Sequence, residues 1–330
     1  MVRLFNPVNS KARDAIKLII VFTLVKVVVA FFFPATIDEA YAIVVSRQWS
    51  LSYFDHPPLS FTIARLMAWL TGTEAIFFAR LPFILMGAAS AWLIYLITKK
   101  IYDDTSAIWA LIWFLIAPFF FISAGHFVVP DGPLNLALLL SFYCLLPLLL
   151  KQQPGSNWRP WLGFGLFLAI ALLAKYQAVL FGLSILIFLT TTPFGRSQLA
   201  TIPPWIAAGI CILGLLPVLV WNMQNDFISF SFQSARAGNE TGLQPLNFLI
   251  TMLGQAVYLL PITFILALGL SAKRLRPTKS PAEAALSWLV LLPFTIFAII
   301  ALVSSKSLPH WPMSGFLSRV SIGWKLVRKK

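Results

Sequence analysis

Long apolar runs alternate with short polar interruptions along the chain, and the lengths of the runs decide what they are. Residues 16–33, 75–98, 106–123, 133–150, 202–221, 248–270 and 286–303 are nearly free of charge. Each is near or above the roughly 18 residues that carry an α-helix across a bilayer. Two shorter runs, 161–174 and 178–192, are hinged at Lys175-Tyr176. Together these predict an all-α polytopic membrane protein of about nine transmembrane helices. The short alternating segments of a transmembrane β-barrel do not occur. Between the first two spans, LSFTIARLMAWL (59–70) carries Arg65 on an otherwise apolar, helix-period segment, the pattern of an interfacial helix. The basic-then-apolar start has the look of a secretory leader. Its apolar run is too long for one and no small-x-small site follows cleanly, so it reads as a retained first span.

Composition narrows the class. Of 330 residues, 59% are hydrophobic and 11% charged, and the mean hydropathy is +0.85. Those values lie outside the range of soluble domains. No repeat, low-complexity tract or soluble domain interrupts the pattern, so residues 1–330 read as one transmembrane domain. A net charge of +14 raises the question of nucleic acid, but most Lys and Arg fall in short connections, where they act as topology signals. Nucleic acid is therefore not an expected partner. Alternating the connections puts Arg3, Lys11, Arg13, Lys17, Lys99, Lys100, Lys151, Arg159, Arg196, Lys273, Arg274, Arg276 and Lys279 on one side. That side is cytoplasmic by the positive-inside rule. The outer side receives Asp38, Glu39, Asp55, Asp131, Lys175, Asp226, Arg236, Glu240 and Lys306, with all three histidines. Cys144 and Cys211 each sit inside an apolar run and form no metal or disulfide pattern.

The densest polar stretch is PATIDEAYAIVVSRQWSLSYFDHPPL, residues 34–59, just beyond the first span. Ionisable groups beside or within a membrane are costly and usually mark a site. Asp38-Glu39 opens this stretch and Asp55-His56-Pro57-Pro58 closes it. Asp131 precedes the fourth span, Lys175-Tyr176 forms the hinge, Arg236 lies in the polar loop 222–247, and Lys306 and His310 follow the last span. Taken singly, each has a plain structural reading. Asp131 could cap a helix, Lys175 could snorkel, and His56 and His310 could shape loops. Asp55 could brace the HPP turn; Arg65 and Arg80 could anchor helices or pair inside the bundle. Lys26, the charge deep within the first span, either snorkels or faces the bundle interior. Convergence on one face weakens the single-residue readings.

Transfer of a sugar from a lipid-linked phosphate needs carboxylates and cations beside an apolar groove. The groove takes the isoprenoid tail, Lys or Arg meets the departing phosphate, and a carboxylate takes the proton of the acceptor hydroxyl. A transporter or flippase would instead show ionisable residues spread through the bilayer and two repeated halves.

The string IDEAYAIVVSRQWSLSYFDHPPL resembles the first outer loop of bacterial type C glycosyltransferases of the dolichyl-phosphate-mannose-protein mannosyltransferase superfamily, family 39. The likeness continues, in family order, through VVPDGPLNLALLL, GLFLAIALLAKYQAVLF, WNMQNDFISFSFQSARAG and KSLPHWP, covering roughly residues 15–312. The resemblance implies the type C fold and use of a polyprenyl-phosphate sugar donor at the outer face of the inner membrane, with inversion. The acceptor it implies is a glycolipid, glycan or protein. By position, Asp38 matches the catalytic acid, Glu39 its neighbour and Asp131 the second acidic position. Lys175 and Tyr176 match the segment near the donor phosphate, and Arg236 and Lys306 match by motif; His56 and His310 join the substrate-binding set. Some relatives hold a divalent metal near the first loop, whereas the chemistry requires no cofactor, and the three histidines lack metal-ligand spacing. Family members continue past the KSLPHWP block. The stretch 312–330 reads as an incomplete tenth helix ending in a basic cluster, hence a shortened form, with an inactive lipid- or partner-binding relative as a further alternative.

Overall fold

Apolar runs that leave no backbone group unpaired in lipid must be helical, and helices account for every regular element among the described residues. The computed structural model describes residues 10–151, 157–238, 242–274 and 280–317. In order the helices are α1 (Ser10–Phe32), α2 (Ile37–Ser46), α3 (Leu59–Thr71), α4 (Ile76–Ile101), α5 (Asp104–Ile116), α6 (Asp131–Lys151), α7 (Trp158–Ala174) and α8 (Ala178–Thr191). They continue with α9 (Pro193–Leu199), α10 (Pro203–Gln224), α11 (Ile228–Gly238), α12 (Pro245–Leu259), α13 (Pro261–Arg274), α14 (Pro281–Val303) and α15 (Met313–Phe316). A π-helical turn, Phe119–Ser123, follows α5.

The all-helical membrane expectation holds, while length and composition of the helices do not by themselves yield nine spans. Five helices, α1, α4, α6, α10 and α14, are long and apolar enough to cross a membrane, or up to seven spans if two bent pairs count as one each. Those pairs are α8 with α9, bent by 105°, and α12 with α13, bent by 104°. Proline opens the second helix of each, where its missing N–H costs nothing and its ring discourages a straight continuation. The run read as a straight span over 248–270 is thus two helices meeting at Leu260, whose φ is 67°. The run 106–123 is a 13-residue helix plus the π turn. The loop 34–59 contains α2, and the loop 222–247 contains α11. The segment expected to form an interfacial helix is helical, as α3. Arg3, Glu240, Arg276, Lys279 and the basic tail over 318–330 lie outside the described residues.

At the centre of the bundle α6 packs on α4 and α7, and α7 on α10; α14 packs on α8 and α13. Small residues permit the closest approaches. A Cβ on Gly87 of α4 would stand 2.9 Å from the Cα of Gly125, so this pair lets the segment leading to α6 lie against α4. Lys26 faces the interior, buried, with Nζ 3.5 Å from the Phe120 carbonyl and over the Phe121 ring.

Polar contacts tie the connections together at two ends. At one, Lys11 donates to Thr105, Lys99 pairs with Asp104, Tyr102 donates to Glu283 and Arg274 approaches the same Glu283. These are connections expected on the basic side. At the other, the stretch 34–58 is bonded to Val128 and Gln233 while Tyr176 is bonded to Ser229, and these are the connections expected on the acidic side.

Candidate active site

Thr36 begins the site. Its hydroxyl accepts from the Glu39 amide while the Glu39 carboxylate accepts from the Thr36 amide, a reciprocal capping box that starts α2. Helix geometry then places Asp38 and Tyr41 three residues apart on one face. That face opens on a cavity of ≈ 580 Å³.

Glu39 points the other way and is fully buried. Its carboxylate takes Arg80 Nε at 2.8 Å and Nη2 at 2.7 Å, and the Val128 amide at 3.2 Å. Arg80 spends its remaining donors on the Ala30, Phe33 and Pro34 carbonyls at 3.1, 2.7 and 2.8 Å. Burial would raise the Glu39 pKa, but the Arg80 hydrogen bonds and charge, with the backbone amides, more than offset this and hold it below its ordinary value. Glu39, expected among the catalytic acids, is therefore not a cavity residue: each oxygen is already committed to the pair. It joins the end of α1, the start of α2, α4 and the segment before α6.

Asp131 and Lys175 do line the cavity, as a buried ion pair with Nζ 2.9 and 3.0 Å from the two carboxylate oxygens. Lys175 is held because it ends α7 in extended backbone, turning its side chain towards the first residue of α6. Tyr176 also lines the cavity, and its hydroxyl shares a 2.7 Å hydrogen bond with Ser229.

Helix α11 supplies the other wall. Phe232 packs on Phe54 with ring centroids 4.6 Å apart, Gln233 Nε2 donates to the Asp55 carbonyl at 2.5 Å, and Phe230 meets Tyr176 edge-on. These contacts bring Arg236 to the cavity, between the Phe232 and Trp311 rings at 5.5 and 5.2 Å. Among the described residues the Arg236 guanidinium has no carboxylate partner, and Asp38 makes no hydrogen bond or ion pair. The site thus holds one neutralised pair, one free carboxylate and one free cation.

His56 and His310 also line the cavity. Burial pushes His56 down to about 4; Lys175 and Arg236 add to this, against Asp55 and Asp131. His310 falls to about 4 for the same reasons, burial first and then Lys175, against Asp131. Both imidazoles are neutral at pH 7. Lys306, like Glu39, is not gathered by the cavity. Ser304 Oγ donates to the Arg236 carbonyl and accepts the Lys306 amide, so the turn faces inward at Ser304 and leaves Lys306 exposed. Asp55 also lines the cavity, and its Oδ1 accepts from the Tyr41 hydroxyl at 2.9 Å. Burial, then the Asp55 charge, raise the Tyr41 pKa. The Thr36–Glu39 spacing could have revealed α2 in the sequence. No local signal could have revealed the α11 contacts. Among the described residues no three His, Cys, Asp or Glu side chains stand close enough to hold a metal ion.

The arrangement can be set against known proteins. The chain is 25% identical over 334 aligned positions to the lipid A galacturonosyltransferase RgtD of Rhizobium johnstonii, covering 96% of this chain and 66% of that protein. Its fold superposes on ArnT from Cupriavidus metallidurans bound to undecaprenyl phosphate with a TM-score of 0.70 and 19% identity, covering 96% of this chain and 61% of ArnT. The Archaeoglobus fulgidus oligosaccharyltransferase tethered to an acceptor peptide follows at 0.58 and 11%, over 96% of this chain and half (50%) of that one. The chain therefore spans about two thirds or less of the length of each. These likenesses establish the type C glycosyltransferase fold. The dolichyl-phosphate-mannose-protein mannosyltransferase sequence profile matches residues 55–221, half of the chain, and includes the Asp131–Lys175 pair and the HPP turn: the chain belongs to that family.

Proposed function

We propose that this chain is a membrane glycosyltransferase that moves a sugar from a polyprenyl-phosphate donor to a hydroxyl of an envelope acceptor, with inversion at the anomeric carbon. One observation carries the reading: a free carboxylate, Asp38, and a free cation, Arg236, border the same cavity as a neutralised pair. In this proposal Asp38 takes the proton of the acceptor hydroxyl as its oxygen bonds to the anomeric carbon. The bond from that carbon to the phosphate oxygen breaks, and its electron pair leaves on the lipid phosphate. Arg236 neutralises that charge, with the third proton of Lys175 as a second donor. Asp131 fixes Lys175, while Tyr176, His56 and His310 contact the sugar. Proton, leaving group and charge are all handled by side chains of the chain, with no cofactor needed.

The undecaprenyl phosphate held by ArnT supports a polyprenyl-phosphate donor, and the lipid A galacturonosyltransferase relative favours a glycolipid acceptor over a glycan or a protein. The basic connections at the opposite end of the bundle favour an inner-membrane protein with its cavity on the periplasmic side. Purified protein given a labelled polyprenyl-phosphate sugar and lipid A should form product. Asp38→Asn should lower transfer by roughly 10²–10⁴-fold with folding intact. Near-normal transfer by that variant would remove Asp38 as base, and lipid movement without product would favour a flippase.

A further inference from the structure

Helix α12 is pressed onto the segment that carries His310 and Trp311. Near its start Asn247 Nδ2 donates to the Ser304 carbonyl at 2.6 Å and to that of Ala301 at 3.3 Å. Further along, a Cβ at Gly254 would stand 2.5 Å from Pro309 Cγ, so glycine is what lets the helix lie this close. The helix ends at Leu259, and α13 leaves at 104° through Leu260. The φ of Leu260, 67°, is in the left-handed region that a residue with a Cβ disfavours. Such strain persists where surrounding contacts over-determine it, and it gathers at ligand sites.

The bend leaves Tyr258, just before it, on the cavity wall. Its ring meets Phe119 at 6.2 Å, and Phe119 stacks in turn on His310 at 6.5 Å. The neighbour of His310, Trp311, is the ring against which Arg236 rests. Tyr258 and Arg236 thus border one end of the cavity. Three tyrosines line it, and two of their hydroxyls are already engaged: Tyr41 donates to Asp55, and Tyr176 shares a hydrogen bond with Ser229. The Tyr258 hydroxyl makes no hydrogen bond among the described residues. A phenol packs its ring on an apolar wall and keeps one O–H for a polar partner.

We infer that Tyr258 is a donor-binding residue: its hydroxyl donates a hydrogen bond to the phosphate–sugar head of a polyprenyl-phosphate sugar, beside Arg236. Phosphate oxygens and sugar hydroxyls both accept such a bond. The inference deepens the glycosyltransferase reading of the same cavity and rests on it.

The test is displacement of a fluorescent undecaprenyl phosphate from the detergent-purified full chain, with plain undecaprenyl phosphate and undecaprenyl phosphate bearing a hexose as competitors. Tyr258→Phe keeps the ring on Phe119 and removes only the hydroxyl. It should weaken binding by about tenfold, the value of a hydrogen bond to a charged group, with an unchanged Tm. A loss with both lipids places the hydroxyl on the phosphate, and a loss with the hexose lipid alone places it on the sugar. Binding of both lipids within about twofold of wild type overturns the inference, as does a loss of binding that tracks a loss of Tm. Binding is read without turnover, so failure to form product on lipid A by a chain that binds both lipids would count against the transferase reading alone.

Discussion

At the residue scale, what separates the site's charged groups is whether each already has a partner. Lys175 looks in the sequence like the natural phosphate ligand, yet two of its three protons are engaged by Asp131. Arg236, stacked between two rings and unpaired, holds the positive charge that a phosphate can use. Arg236→Ala should weaken undecaprenyl phosphate binding by roughly 10- to 100-fold, the value of a charge-assisted hydrogen bond. Lys306→Ala, on an exposed turn, should leave it within about twofold. Titration of the purified variants with fluorescent undecaprenyl phosphate checks both, and equal losses would mean that Lys306 reaches the cavity. The pairing of Asp131 with Lys175 was not legible: 44 residues separate them, and only their common side of the membrane could be read from the sequence.

At the scale of elements, the Glu39–Arg80 pair joins four pieces of chain and holds both acids indirectly. Asp38 precedes Glu39, and Asp131 follows Val128 by one turn of loop. Both partners are 0% exposed. Arg80→Met would strand a buried carboxylate and should destabilise the protein by about 3–5 kcal/mol, whereas the Glu39→Gln, Arg80→Met double variant should recover much of that loss. Denaturant unfolding in detergent gives the cycle; a double variant as unstable as the single would mean that the pair contributes through packing alone. Helix α11 makes the opposite point about legibility. Its sequence, ISFSFQSARAG, alternates aromatic and Ser with little helix propensity, so it reads as loop. Contacts with Phe54, Tyr176 and Asp55 override that preference.

For the whole molecule, three histidines, His126 buried and His56 and His310 partly buried, set a pH dependence. His56, His126 and His310 all have pKa values lowered to about 4, burial being the largest cause in each. Between about pH 6.5 and 4 the unfolded chain binds protons that the folded chain refuses, so ν_U exceeds ν_N and stability rises with pH across that window. The Tm in detergent, followed by tryptophan fluorescence, should be level above about pH 6.5 and fall as the pH is lowered towards 4. A Tm that is flat or rises on acidification contradicts the neutral state of these histidines. The sequence by itself determined the membrane class, the order of the apolar helices and the side on which the ionisable residues collect. Run length, hydropathy and the placement of Lys and Arg are local properties, and the lipid phase leaves a chain few other choices. Tertiary structure alone decided the two bent pairs, the helices inside both polar loops and which charges are neutralised. Each of these turns on contacts between residues far apart in the chain, where a pair such as Lys175 and Asp131 cancels only once α6 and α7 pack and exclude water between them.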